Sequence, residues 1–414
     1  MQNIDGQAVL EKIRKYVAPN YAPYRFIPIK AEGVWLEGWL EGKGNYRVMD
    51  LTSTYSALSL GHNAKEIVDL KVARLLEKKP SKTSRGIVSD SDLADFAEFL
   101  CKLSGMDMMI PKNGGTEAFD TAVHAARMWK WKAGGGLKDG TNIIVCERNF
   151  HGRSGLARDA SSENLYRDGF GPYAINSFKK IPFGDLAALE SAITPMTAAF
   201  MPEPVQCEGG MIFPPHGYLK GARKICREHN VLFILDEIQT GLGRTGKLFA
   251  WEHEGEDARP DGMLLGKAIG GGEDKLSVFV GRRDVLEVLS VGLDGSTFGG
   301  DPSSCAIGKR ALELLSDPAL LSRVTKTGAW FMRKLKTIDS PLVKDIRGKG
   351  LLIGIELGLS SENMRKICEQ LLDVGVLTKD THGVIRITPP LVVSRKELEW
   401  AFYGLKYVLE NPKI

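Results

Sequence analysis

Between about residue 90 and residue 300, short uninterrupted apolar runs alternate with stretches of helical character. An apolar run without polar alternation is typical of a strand buried on both faces, and intervening helices connect such strands in parallel. This pattern predicts an α/β fold with a large domain, in which helices cover a mainly parallel sheet. The predicted strands are residues 143–146, 198–202, 231–235, 263–265 and 278–280, and the predicted helices are residues 117–131, 185–192 and 218–229.

The two flanking regions have different patterns, and a chain of 414 residues is too long for one simple core. A short amphipathic helix at residues 6–16 precedes Trp- and Gly-rich segments whose alternation predicts a small antiparallel sheet. Beyond about residue 305, helices at 305–315, 362–374 and 396–409 alternate with strand-like runs. We therefore expect an N-terminal segment at residues 1–55, a large domain at 56–305 and a C-terminal α+β domain at 306–414.

Composition and charge exclude several classes of partner. A net charge of +4 without any run of basic residues gives no support for nucleic-acid binding. No stretch approaches eighteen apolar residues, and the N-terminus lacks a secretory signal pattern, so we expect no membrane partner and a cytoplasmic location. The six cysteines and seven histidines are dispersed, which predicts reduced thiols and no metal site.

A predicted buried strand that ends in two acidic residues is the strongest local signal. The segment VLFILDEIQT places Asp236 directly after the apolar run 231–235. Ligands bind outside the carboxyl ends of strands in open α/β sheets, and a carboxylate there requires a partner such as a pyridinium N–H. A second interpretation is that Asp236 only caps the element that follows.

A lysine follows the next apolar run in a similar way. Lys267 lies in the segment LLGKAIGGG, between the run 263–265 and three glycines. Desolvation at the end of a buried strand lowers the pKa of a lysine, and Schiff-base chemistry requires the neutral amine. The alternative is a solvated surface lysine.

Two turns that are rich in small residues are candidate phosphate sites. One is NGGTEA at residues 113–118, at the start of a predicted helix, and the other is GSTFGG at residues 295–300. A glycine-rich turn at a helix N-terminus offers backbone N–H groups and the positive end of the helix dipole to an anion. Either turn alone is also compatible with an ordinary loop.

Together, a strand-end carboxylate, a desolvated lysine and two phosphate-type turns describe a pyridoxal phosphate (PLP) site. The segment LDEIQTGLGRTG at residues 235–246, followed by the lysine and GSTFGG, resembles the class III (fold type I) aminotransferases. The resemblance extends from about residue 20 to residue 409. It implies the fold type I transferase architecture, PLP as cofactor, an amino acid and a 2-oxo acid as substrates, and a homodimer or higher homo-oligomer.

The resemblance also implies roles for individual residues. Lys267 forms the Schiff base, Asp236 keeps the ring nitrogen protonated, and Gln239 contacts the ring hydroxyl oxygen. The other implied cofactor-binding residues stack on the ring, hold the phosphate or line the site: Phe150, Ile238, Gly115, Thr116, His151 and, from the neighbouring subunit, Thr297.

Within this class, several segments are similar to the ornithine 5-aminotransferases. They include STYSA at residues 53–57, DGFGP at 168–172 and THGVIRITPP at 381–390. This likeness implies transfer of the δ-amino group of L-ornithine to 2-oxoglutarate. Glu208 then neutralises Arg386 while ornithine is bound. The implied substrate-binding residues are Tyr21, Tyr55, Arg153, Glu208 and Arg386.

Some positions depart from that pattern, and other functions stay open. His151 stands where Trp is frequent, Phe119 and Asp120 replace Gly and Glu, and Asp301 stands where Asn is usual. The same cofactor site also serves racemases or epimerases and ω-aminotransferases acting on lysine, acetylornithine or GABA. A binding or scaffold module is the alternative from another class, and the retained Lys267 argues against it.

Overall fold

The computed structural model describes residues 4–134, 141–173 and 177–414. The strands are β1 (Phe26–Glu32), β2 (Trp35–Leu40), β3 (Gly44–Asp50), β4 (Met108–Lys112), β5 (Asn142–Cys146), β6 (Phe178–Ile181), β7 (Thr197–Phe200), β8 (Leu232–Asp236), β9 (Gly262–Leu265), β10 (Ser277–Gly281), β11 (Asp345–Lys349), β12 (Leu352–Glu356), β13 (Val376–Leu377), β14 (Lys379–Thr381) and β15 (Val384–Ile387). The helices are α1 (Gly6–Tyr16), α2 (Ser53–Ser56), α3 (Lys65–Leu76), α4 (Ser91–Ser104), α5 (Gly115–Ala133), α6 (Gly155–Ala160), α7 (Asn164–Arg167), α8 (Leu186–Ala192), α9 (Tyr218–Glu228), α10 (Arg283–Leu286), α11 (Pro302–Leu315), α12 (Pro318–Leu335), α13 (Ser361–Asp373) and α14 (Arg395–Glu410).

The central sheet has seven strands in the order β4-β10-β9-β8-β7-β5-β6. Neighbouring strands from β6 through β9 pair in parallel, whereas β10 pairs antiparallel with both β9 and β4. The predicted α/β class with a mainly parallel sheet is therefore confirmed. All five apolar runs that we assigned to strands lie in this sheet, and the sheet also includes β4 and β6, which we did not predict.

The two faces of the sheet bury two separate hydrophobic clusters. In β8, Leu232 and Ile234 belong to the cluster under α5, whereas Phe233 and Leu235 belong to the larger cluster on the opposite face. Successive side chains of a strand point to opposite faces, so an uninterrupted apolar run is required where helices cover both. Four alanines on the buried face of α5 let this helix lie close to the sheet: Ala118, Ala122, Ala125 and Ala126.

Two smaller sheets flank the central one. Their strand orders are β1-β2-β3-β13 and β11-β12-β15-β14. β13 pairs in parallel with β3, so the N-terminal segment and the C-terminal part share a sheet, and α11 extends across residue 305. The domain boundaries that we expected stay a prediction. No helix of the described residues is long and apolar enough to cross a membrane.

α2 is a single left-handed turn. The φ angles of Ser53, Thr54, Tyr55 and Ser56 are 40°, 50°, 60° and 73°. Left-handed backbone costs roughly 1–2 kcal/mol for each residue that carries a Cβ, so the surroundings must hold this turn in place. The Asp50 carboxylate accepts from the Ser53 N–H at 3.0 Å. The turn presents Tyr55 toward the C-terminal sheet, where Tyr55 contacts β14 and β15.

Candidate active site

The predicted catalytic pair lies at the carboxyl edge of two neighbouring parallel strands. Asp236 is the last residue of β8, and Lys267 follows β9 after one glycine. The strands pair with Asp236 opposite Leu264, so both side chains emerge at the same edge of the sheet. This edge is where open α/β sheets bind their ligands.

A cavity of about 200 Å³ opens at this edge. Every predicted cofactor-binding residue except Thr297 lines it. The lining residues are Gly115, Thr116, Phe150, His151, Gly152, Glu203, Asp236, Ile238, Gln239, Thr240 and Lys267.

Lys267 has the environment that a reactive amine requires. Burial lowers the pKa of its ammonium group, which favours the neutral amine. Its Nζ donates a hydrogen bond to Oε1 of Gln239. Its φ of 48° lies in the left-handed region, and Lys267 begins the 3₁₀ turn Lys267–Gly270.

The Asp236 carboxylate is held from two sides. Oδ2 accepts from Nδ1 of His151 at 2.7 Å, and Oδ1 accepts from the backbone N–H of Ile238 at 3.1 Å. The His151 ring stacks on Phe119, with ring centroids 4.6 Å apart and planes 4° from parallel. Phe119 and His151 are two of the positions that depart from the ornithine aminotransferase pattern, and they support Asp236 together.

The N-terminus of α5 forms one wall of the cavity. This helix has nineteen residues and begins at Gly115 and Thr116, both of which line the cavity. A Cβ atom on Gly115 would lie 2.8 Å from Cδ1 of Ile238, so a larger residue would displace that side chain. The unpaired N–H groups of the first turn, together with the helix dipole, suit a phosphate.

Two buried nitrogen atoms at the cavity lack hydrogen-bond partners among the described residues. They are Nε2 of Gln239 and Nε2 of His151. A buried polar atom without a partner is unfavourable, so a polar ligand in this cavity would stabilise the site. With the Asp236 carboxylate, the Lys267 amine and the α5 N-terminus, these atoms match a ring with a basic nitrogen, a hydroxyl and a phosphate. The residues present therefore fit PLP.

A buried ion pair lies close to this cavity. The Arg386 guanidinium of β15 donates to both carboxylate oxygens of Glu208, and the Nη2–Oε2 distance is 3.1 Å. Arg386 is only 2% exposed. Burial raises the pKa of Glu208, but the charge and hydrogen bonds of Arg386, together with the charges of Lys267 and Lys379, outweigh burial, and the pKa is lowered overall. Glu208 therefore carries a negative charge, and the pair masks an arginine that could otherwise bind a carboxylate.

Tyr55 covers this ion pair. The Arg386 guanidinium carbon lies 5.2 Å from the Tyr55 ring centroid. On β14, Nζ of Lys379 donates to the Tyr55 hydroxyl at 3.0 Å. The structure thus brings three of the predicted substrate-binding residues together, and Lys379 accompanies them although sequence reasoning did not select it.

The other two predicted substrate-binding residues form a separate group. Nη1 of Arg153 donates to the Tyr21 hydroxyl at 3.4 Å, and both side chains are exposed. The Arg153 guanidinium also lies 5.4 Å from the ring centroid of Tyr166, which in turn contacts Phe150 edge to face at 5.7 Å. This aromatic contact connects Arg153 with the cavity wall, and sequence analysis did not identify Tyr166.

Thr297 lies apart from the Lys267 cavity of its own chain. It is exposed and lines a second cavity beside Lys112 and Asp294, whose side chains form an ion pair at 2.8 Å. The resemblance assigns Thr297 to the cofactor phosphate of a neighbouring subunit. That role stays a prediction.

Glu203, which was not among the predicted site residues, lines the cavity and accepts a hydrogen bond from the Phe150 N–H at 2.9 Å. Burial, and then the Asp236 carboxylate, raise the pKa of Glu203 well above its ordinary value. The signal was present in the sequence, because Glu203 follows the apolar run 198–202 as Asp236 follows the run 231–235.

Comparison with known proteins assigns the family. Residues 16–409 match the family model described as aminotransferase class-III. An ornithine aminotransferase of Halalkalibacterium halodurans is 46% identical over 404 residues, covering 97% of this chain and 98% of that protein. The crystal structure of ornithine aminotransferase from Toxoplasma gondii ME49 superposes with a TM-score of 0.92 at 33% identity, over 99% of this chain and 96% of that one.

An acetylornithine aminotransferase structure from Elizabethkingia anophelis is also similar, with a TM-score of 0.86, 34% identity and coverage of 98% and 99%. These likenesses extend over nearly the whole length of each protein and confirm the predicted fold type. The match to the family model covers the strand-end residues, the cavity and the ion pair described above. The chain belongs to the class III aminotransferases and is a PLP-dependent transaminase.

Proposed function

We propose that this enzyme transfers the δ-amino group of L-ornithine to 2-oxoglutarate, which gives glutamate 5-semialdehyde and glutamate. The observation that supports this most directly is the ion pair of Glu208 with Arg386, which lies near enough to Lys267 for both charges to influence the pKa of its amine. A masked arginine suits an enzyme that must accept two different substrates in turn. One has an amine at the reacting end, and the other has a carboxylate there.

When bound, PLP supplies an electron sink for the carbon that loses a proton. The first turn of α5, at Gly115 and Thr116, would hold its phosphate. Phe150 and Ile238 would contact the ring, and Gln239 would donate from Nε2 to the ring hydroxyl oxygen. Asp236 would accept from the protonated ring nitrogen, and His151 fixes the Asp236 carboxylate for this purpose.

Lys267 acts as both acid and base in this proposal. Burial lowers the pKa of its ammonium group and so favours the neutral amine, which lets Nζ accept the proton from the substrate carbon that bears the transferred nitrogen. The same Nζ then donates the proton at the end of the half-reaction. In this structure, Oε1 of Gln239 accepts a hydrogen bond from this Nζ.

The two substrates would use the surrounding residues differently. Arg153 and Tyr21 would hold the α-carboxylate end of ornithine, while Glu208 neutralises Arg386 and leaves room for the distal ammonium group. With 2-oxoglutarate, Glu208 moves away and Arg386 binds the carboxylate next to the reacting carbon. Arg153 then binds the distal carboxylate.

We further propose that the active species is at least a homodimer. Thr297 lies outside the Lys267 cavity of its own chain, and Val291, Leu293 and Phe298 expose apolar surface in the same segment. A second copy would bury this surface and place Thr297 against its neighbour's phosphate site. Sedimentation at assay concentration tests the proposal, and a fully active monomer would contradict it.

A cytoplasmic location also stays a prediction.

A panel of amino donors with 2-oxoglutarate tests the substrate assignment. Ornithine, lysine, acetylornithine and GABA are compared, and both products are identified by mass spectrometry. We expect ornithine to give the highest kcat/KM, with glutamate and glutamate 5-semialdehyde in equal amounts. Inversion of a chiral centre without transfer of nitrogen would instead identify a racemase.

A further inference from the structure

Lys379 lies beside the Glu208–Arg386 ion pair and has no role in the reaction described so far. It begins β14 and is the antiparallel partner of Arg386 in β15. Directly paired residues of neighbouring strands project from the same face of a sheet, with Cβ atoms about 5 Å apart. Two cationic side chains therefore point toward one side of the C-terminal sheet, and Glu208 neutralises only one of them.

The contacts of Lys379 leave its charge available. The only hydrogen bond that its ammonium group makes with the described residues is to the Tyr55 hydroxyl, at 3.0 Å. Tyr55 is fixed in the left-handed turn α2, with the Lys379 ammonium 5.3 Å and the Arg386 guanidinium 5.2 Å from its ring centroid. A hydroxyl cannot neutralise an ammonium group, so Lys379 can still accept a carboxylate.

The proposed reaction requires a second position for Glu208. A substrate carboxylate that binds Arg386 must displace Glu208, and a carboxylate left in a largely buried environment without a cation is strongly unfavourable. Burial raises the pKa of Glu208, and three cations lower it: Arg386, then Lys267 and Lys379. Arg386 is occupied in this state and Lys267 takes part in the chemistry, so Lys379 is the cation that remains.

We propose that Lys379 is a positioning residue that receives the Glu208 carboxylate whenever a substrate carboxylate occupies Arg386. This inference rests on the proposed function and extends it, because it assigns a structural partner to the open state of the ion pair. Lys379 then favours dicarboxylate substrates without touching them. Its contact with Tyr55 keeps the ammonium group close to Glu208 in the closed state.

The first experiment measures binding and does not depend on turnover. Glutarate, a dicarboxylate without an amino or oxo group, is titrated into the PLP-loaded enzyme by isothermal titration calorimetry. We expect Lys379→Met to raise the Kd for glutarate about tenfold, and Lys379→Arg to restore it to within about threefold. Lys224→Met is the control, since it removes an exposed lysine of α9 whose ammonium group forms an ion pair with Glu228 of the same helix.

A double-mutant cycle then decides whether Lys379 acts through Glu208. In a Glu208→Gln background, the displaced side chain is neutral and has no need of a cation. We expect Lys379→Met to change the Kd for glutarate less than twofold there. A tenfold effect that persisted in this background would mean that Lys379 binds the ligand directly, and it would overturn the proposal.

Kinetics separate this role from a structural one. With Lys379→Met we expect the KM for 2-oxoglutarate to rise about tenfold, while the KM for ornithine changes less than threefold. If KM rose equally for both substrates, the role of Lys379 would be to hold Tyr55 in place, and the inference would be overturned. If the wild-type enzyme did not use ornithine, the proposed function would fail, but the glutarate titrations would still test Lys379.

Discussion

Two walls of the active site differ in how the chain builds them. The cofactor wall consists of Asp236, Gln239 and Lys267, which lie at or just beyond the ends of two adjacent strands in one sheet. The carboxylate wall consists of Tyr55, Glu208 and Arg386. These residues come from the turn after β3, the loop after β7 and a strand of another sheet. The residues of the cofactor wall follow strands that can be recognised from local sequence, whereas the residues of the carboxylate wall come together only in the tertiary fold.

The same difference has a functional counterpart. The cofactor wall performs the same chemistry in both half-reactions, so its geometry can be fixed. The carboxylate wall must change between substrates, because Arg386 cannot hold Glu208 and a substrate carboxylate bidentately at once. Substitutions in the cofactor wall should therefore slow both half-reactions equally, whereas substitutions in the carboxylate wall should separate them.

The largest effect is expected for Lys267→Ala. Loss of the amine removes the proton acceptor and the covalent attachment of PLP, so both half-reactions should fall at least about a thousandfold, the upper part of the range for acid–base catalysis. Single-turnover absorbance with ornithine and with glutamate measures this, and mass spectrometry after borohydride reduction reports the covalent link. Lys275→Ala, at an exposed position nearby, is the control. Turnover near the wild-type rate without added amine would disprove the assignment.

Asp236→Asn should have the next largest effect. An amide cannot hold the ring nitrogen protonated, so we expect both half-reactions to slow by about a hundredfold or more, which corresponds to about 2.7 kcal/mol. The ratio of the ornithine rate to the glutamate rate should stay within about threefold of wild type. Retention of more than about a tenth of the activity would reassign Asp236 as a structural cap.

Glu208→Ala should separate the two half-reactions. Without Glu208, Arg386 is permanently free to bind carboxylates, so glutamate becomes a better donor, while the distal ammonium group of ornithine meets an unpaired arginine. The expected change in relative preference is on the order of 2–5 kcal/mol, that of a buried pair losing one partner. Stopped-flow absorbance with each donor measures it.

Glu356→Ala is the matched control for this variant. Glu356 pairs with Arg347 in the same C-terminal sheet, but both side chains are partly exposed, and exposed pairs contribute little. We expect the donor ratio of this control to stay within twofold of wild type. If Glu208→Ala also left the ratio of ornithine to glutamate rates unchanged, the proposal that Glu208 masks Arg386 would be wrong. The assignment of ornithine as the donor would then depend only on the overall similarity to ornithine aminotransferases.

The contrast between the walls also explains what the sequence could predict. Apolar runs that lack alternation identified strands of the central sheet, and the residues after two of them identified Asp236 and Lys267. Helix α1 has the predicted bounds, because its apolar spacing is local. β4 was not predicted because its segment MMIPK contains a proline, and proline is unfavourable in the interior of a strand.

The carboxylate wall could not be derived from the residues in this way. Nothing local indicates that residues 53–56 adopt a left-handed turn, since none of them is glycine. The conformation depends on hydrogen bonds that Ser53 donates to the Asp50 carboxylate and accepts from Arg244. Lys379 lies in a three-residue strand without a periodic pattern. Tyr55, Glu208 and Arg386 were identified through resemblance to a family, and no pattern in the chain alone pairs residues 178 positions apart.

The smallest effect is expected for Tyr21→Phe, which tests whether the exposed group at Arg153 belongs to either wall. The Tyr21 hydroxyl accepts from Arg153 at 3.4 Å, a long contact at an exposed position. Losing one such hydrogen bond costs about 0.5–1.5 kcal/mol at most. We therefore expect the KM for ornithine to rise threefold to tenfold, with kcat nearly unchanged, because Tyr21 would hold the unreactive end of the substrate. Steady-state kinetics with both substrates measure this. An equal fall in kcat for ornithine and glutamate would instead place Tyr21 with the cofactor wall, and would show that the N-terminal segment shapes the reacting centre itself.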